Sequence, residues 1–86
     1  MGIKETKETL KTLERKCISL YAVMTENRDG TWSAPRSYMD SVRNASIKFI
    51  GDYLLLTEGS EEIAKIYSQL QRKYDRVLPP LDELGL

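Results

Sequence analysis

The chain has no histidine and a single cysteine, Cys17, among its 86 residues. Those two shortages exclude a great deal of chemistry. Ser-His and Cys-His nucleophilic systems need an imidazole base, and a zinc site would have carboxylates alone to bind it. A lone thiol cannot form a disulfide within the chain. Cys17 lies on an apolar periodic run, so it reads as a small core residue and not as a nucleophile. Glycine is also sparse: the five glycines are scattered, and none groups into a loop that could cradle phosphate. No cofactor is therefore expected. With 13 basic and 13 acidic residues the net charge is zero. The chain thus lacks both the basic excess of a free-standing nucleic-acid binder and the acidic excess of a nucleic-acid decoy. Its longest apolar run, Tyr53-Leu54-Leu55-Leu56, is far short of the ~20 residues that span a bilayer. The N-terminus has no apolar stretch of the signal-peptide kind. The expectation is a cytoplasmic protein with no membrane partner.

What is present describes one small domain, residues 1–86. A hydrophobic share of 41% beside 30% charged residues is that of an ordinary globular chain. A core this small commonly gains stability from oligomerisation or from a host complex. The charge is unevenly spread along the sequence. Residues 1–48 hold nine basic and six acidic side chains, and residues 49–86 hold four and seven. Such asymmetry favours head-to-tail association or an oriented fit between subunits.

Hydrophobic periodicity then supplies the architecture. Ile3, Thr6, Leu10, Leu13, Cys17, Leu20 and Met24 step alternately by three and four, which makes one seam on a helix of about six turns. Segment one is predicted from Ile3 to Glu26 and stops at Asn27-Arg28-Asp29-Gly30, a turn sequence. Segment two, Pro35 to Glu58, gathers Tyr38, Met39, Val42, Ala45, Phe49, Ile50, Tyr53 and Leu56 on a broad face, with Ser33 or Ala34 as N-cap. Segment three, Ser60 to Leu78, follows Gly59, begins with Ser60 as N-cap, and ends at Pro79-Pro80. It places Ile63, Ile66, Tyr67, Leu70, Tyr74 and Val77 on one face. The fold predicted is all-α: a compact three-helix antiparallel bundle with a short extended tail, residues 79–86. The alternative is α+β with two short hairpins, because Ile18, Val23, Ile47 and Leu55 fall off the helical faces. In that alternative, residues 18–24 pair with Thr31-Trp32 across the turn, and residues 47–56 fold back about Gly51-Asp52.

Individual motifs mostly fail on their chemistry. With Gly30 at position 6 of a calcium loop, Thr25 falls at position 1 and Arg36 at position 12, where a bidentate glutamate is required. Met1-Gly2-Ile3-Lys4-Glu5-Thr6 matches a short, frequent myristoylation pattern, from which no anchor is expected. Glu61 and Glu62 are adjacent, so they point to different sides of a helix. Asp52, Glu58 and Asp75 show no converging spacing and read as solvated carboxylates. The chain is expected not to be an enzyme.

Two kinds of surface feature remain. Lys65, Gln69, Arg72 and Arg76 line the face of segment three opposite its apolar seam. Lys4, Lys7, Lys11 and Arg15 form a like stripe on segment one, partly cancelled by Glu8 and Glu14. Cations in such register can follow a phosphate backbone, although a charged outer face is common to all soluble amphipathic helices. Trp32, in the first connection, either plugs the end of the bundle or anchors a partner. Leu81, Leu84 and Leu86 of the tail are expected to dock on the bundle or on a neighbour.

These features point to a non-catalytic small helical subunit or adaptor of a larger protein or nucleoprotein assembly. Its partner would be another protein or further copies of itself, with nucleic acid met inside the complex. In size and helical build the chain is similar to the small helical subunits of CRISPR effector complexes, which line a nucleic-acid channel. That is a likeness of build and not of motif. The alternative is a small inhibitory or immunity protein, as in anti-defence systems, which occludes a partner's surface.

Overall fold

The structure is a computed structural model that describes residues 2–84. Three helices dominate: α1 (Ile3–Val23), α2 (Arg36–Leu54) and α3 (Ser60–Lys73). A tiny antiparallel ribbon joins the first two, with β1 (Thr25–Glu26) pairing β2 (Trp32–Ser33) so that Glu26 faces Trp32.

The seam expected on α1 is its buried side. Thr6, Leu10, Leu13, Cys17 and Leu20 are all buried, and Leu13, Cys17 and Leu20 are wholly inaccessible. α2 runs back along them: Thr9, near the start of α1, meets Asp52, near the end of α2, and Leu20 shares a groove with Val42. α3 lies beside α1 in the same sense. Gly59 touches Ile3, Lys7 pairs with Glu62 at 2.8 Å, and the Tyr21 and Tyr74 rings meet edge to face at 4.9 Å. Phe49 of α2 stacks on Tyr67 of α3, centroids 5.0 Å apart, so the core closes through aromatic faces where the two helices approach.

Several expectations are corrected. α1 ends at Val23 because Met24 turns extended and starts the ribbon. The turn Asn27-Arg28-Asp29-Gly30 is thus the tip of a real hairpin. The Gly30 N–H donates to the Asn27 carbonyl at 3.2 Å, and Gly30 takes φ +86°, the left-handed setting that suits glycine in such a turn. The Thr31 hydroxyl and N–H both donate to Asp29 and hold its carboxyl below the usual range. The second hairpin of the α+β alternative is absent among the described residues: residues 47–54 are helical, as are residues 18–23.

Helix ends differ too. Pro35 is the N-cap of α2 and not its first helical residue. Gly59, at φ +78°, is the N-cap of α3, which puts Ser60 inside the helix. The left-handed φ is what calls for glycine at this junction; a Cβ there would also come within 2.5 Å of Ile3 Cδ1, so the tip of the Ile3 side chain would have to move aside.

Within the described residues the tail is not wholly extended. Leu81–Leu84 forms a single 3-10 turn, anchored upstream by the Tyr67 hydroxyl donating to the Pro79 carbonyl at 2.6 Å and by Gln71 donating to the Leu78 carbonyl at 3.1 Å. Leu81 and Leu84 pack on the core; Leu86 lies outside the described residues.

Candidate interaction surfaces

The two basic stripes meet different fates. α1 and α3 run side by side, so Lys7 and Lys11 face Lys73 across an apolar floor of Leu10, Ile66 and Leu70. The groove has a volume of about 390 Å³. Glu14 and Gln69 complete its rim, and Lys7 is already engaged with Glu62. Lys73 also stands 5.7 Å from the Tyr74 ring centre. Lys65 and Arg72 are exposed on α3 but do not line this groove. Lys4 is exposed near the start of α1, and Arg15 donates to the Thr12 hydroxyl at 3.3 Å.

Arg76 leaves the stripe altogether. α3 ends at Lys73, and Tyr74 breaks the helical path, so Arg76 turns toward the ribbon. Its guanidinium pairs with Glu26, which raises its pKa further. Its N–H donates to the Tyr21 hydroxyl at 3.2 Å.

Asp52 is not the solvated carboxylate expected from its position. It is buried between α1 and α2, where the Thr9 hydroxyl donates to it at 2.5 Å and Lys48 lies 3.7 Å away. A buried carboxylate with a hydroxyl donor and a neighbouring cation has its hydrogen bonds supplied from within the protein, which is a packing role. Among the described residues no group of three or more metal-binding side chains gathers, and no helix is long and apolar enough to cross a membrane.

Most of the exposed large hydrophobic side chains lie on α2 or directly after it: Tyr38, Met39, Ile47, Leu54 and Leu55. Val42, Phe49 and Asp52 are buried, with Ala45 and Tyr53 beside them. Met39, Arg43, Ile47, Ile50 and Leu54, in steps of four, four, three and four, form a neighbouring flank that the other helices leave largely open. Ile47 is 59% exposed and Leu54 65%. Part of this flank opens into a groove of about 420 Å³, whose other walls are Leu20, Trp32, Val77, Pro79 and Leu84. Trp32 is half-buried there, on the strand that faces Glu26. Periodicity places Met39 and Ile50 on the core-facing side of α2 and Ile47 off it; Ile50 does pack on the core, whereas Met39 is exposed and Ile47 is helical. The missed signal was the width of the α2 apolar arc, greater than its two neighbours can cover. No known protein family matches this chain, and no curated protein or solved structure does.

Proposed function

We propose that this chain is a small helical subunit or adaptor without a catalytic role, joining a larger protein or nucleoprotein assembly. Its three helices serve as an antiparallel bundle that presents α2 to a partner. One observation carries this reading: the open apolar flank of α2, with Ile47 and Leu54 each more than half exposed. Contiguous apolar surface on a small chain is costly in water and marks places that other proteins cover. Contact with nucleic acid is the secondary part of the proposal. It assigns phosphate contacts to Lys65 and Arg72, which make no ion pair among the described residues, to Lys11 on the rim of the α1–α3 groove, and to Lys4, exposed near the start of α1. Arg76, occupied by Glu26, is left out.

The test is purification of the tagged chain with its assembly from the native host. Ile47→Glu with Leu54→Glu should release the protein partners while the chain stays folded, because both side chains already face water. Lys65→Glu with Arg72→Glu should leave the protein assembly intact and weaken nucleic-acid retention. The salt dependence should then become shallower by nearly one unit of slope per lost contact. An assembly indifferent to the α2 double variant removes the adaptor reading. An unchanged salt slope in the α3 double variant removes the nucleic-acid part alone.

A further inference from the structure

The partner on the α2 flank can be specified more closely. We infer that the flank pairs with the same flank of a second copy, the two α2 helices crossing antiparallel near Ile50 and Gly51. This rests on reading the flank as a protein-docking face.

Three features support it. The first is Gly51 itself. Glycine is a poor residue inside a helix, and close backbone approach is a reason to find one there. Yet a Cβ built on Gly51 meets nothing within 4 Å, so nothing in its own fold requires glycine at this position. It is exposed between Ile47 and Leu54, where its missing side chain would let another helix come close.

The second is apolar self-complementarity. A two-fold crossing at Ile50–Gly51 puts Ile47 of one copy opposite Leu54 of the other, and the same contact recurs by symmetry. Each of these exposed side chains then meets an apolar counterpart.

The third is charge. Arg36 and Asp40 satisfy each other at 3.8 Å, whereas Arg43 and Glu58 make no ion pair among the described residues. Arg43 stands on the flank on the N-terminal side of the crossing, and Glu58 lies in the connection that follows the end of α2 at Leu54. In the antiparallel arrangement Arg43 of each copy points past the crossing toward the end of the other α2, where Glu58 is the first acidic residue after the helix. A parallel arrangement would set like charges together.

Sedimentation of the purified chain from micromolar to millimolar concentration tests this directly. Wild-type protein should pass from monomer to dimer across that range, and Leu54→Glu should weaken dimerisation at least about tenfold, since each tenfold is only about 1.4 kcal/mol. Gly51→Leu should also weaken the dimer while the melting temperature of the dilute monomer does not fall, because leucine favours helix and has open space. Arg43→Glu and Glu58→Arg should each impair self-pairing, and an equimolar mixture of the two variants should restore it as a heterodimer. A wild-type chain that stays monomeric throughout overturns the proposal. So does a dimer indifferent to Gly51→Leu and to both charge reversals. If the chain is monomeric yet Ile47→Glu with Leu54→Glu still releases its native assembly, only self-pairing is lost. If that assembly is also indifferent, the docking face falls with it.

Discussion

Phe49→Ala should lower the unfolding free energy by about 3–5 kcal/mol, the range for truncating a buried phenylalanine. Phe49 is wholly inaccessible, stacks on Tyr67 and contacts the Tyr53 ring at 5.8 Å. It is the main side chain through which α2 meets α3, so its loss removes apolar burial and leaves a cavity between two helices that touch little elsewhere. Leu13→Ala should cost about 2–5 kcal/mol for the corresponding reason on α1. Either loss is a large share of the roughly 5–15 kcal/mol that holds a native domain together. Urea unfolding monitored by circular dichroism measures both. Leu70→Ala should cost less than Leu13→Ala, because Leu70 floors the open α1–α3 groove and its vacated space can admit water. An unchanged midpoint for Phe49→Ala would mean that α3 is not packed on α2 as described.

Alkaline pH should destabilise the fold. Burial pushes the Cys17 thiol up from 9.0 to about 12, with Glu14 adding to the effect. Burial likewise pushes the Tyr67 hydroxyl up from 10.0 to about 12, with a smaller contribution from Cys17. Both groups are neutral when protonated, so the native state holds their protons more tightly than the unfolded chain does. Below pH 9.0 this contribution to stability is fully present. As pH rises the unfolded chain releases its protons first, and stability falls until the native groups titrate near 12. Denaturation midpoints at stepped pH should therefore drop from about 9, and Cys17→Ala should move the onset toward the tyrosine range near 10. Native Cys17 should resist alkylation at neutral pH and react on unfolding. Midpoints that stay level to pH 12 would contradict the burial of both groups.

The sequence was most informative where a period of three and four repeated without interruption. α1 shows its seam because Leu10, Leu13, Cys17 and Leu20 recur in register and nothing competes with them. Local stop signals were weaker guides. Asn27-Arg28-Asp29-Gly30 marked a turn, but α1 ends before it, because the ribbon takes Thr25 and Glu26 from the helix. Pro79-Pro80 lies beyond the true end of α3; the chain leaves the helix after Lys73 so that Leu78 can enter the core, and Arg76 is carried away from the stripe on which spacing had placed it. Asp52 was illegible for a different reason. Its burial depends on Thr9, 43 residues distant, and no local pattern carries that contact. On α2 the positions themselves gave the apolar arc. How much of it the fold covers is a tertiary fact, and the uncovered part became the candidate site.

Hydroxyl-radical footprinting of the native assembly, read against the dilute isolated chain, tests the docking role of α2 most directly. Ile47, Leu54 and Met39 should lose reactivity in the assembly, while Ile18, which is half exposed on the outer side of α1, should keep it. Undiminished labelling of Ile47 and Leu54, with protection appearing instead along α1, would contradict the assignment of α2 as the face that partners cover.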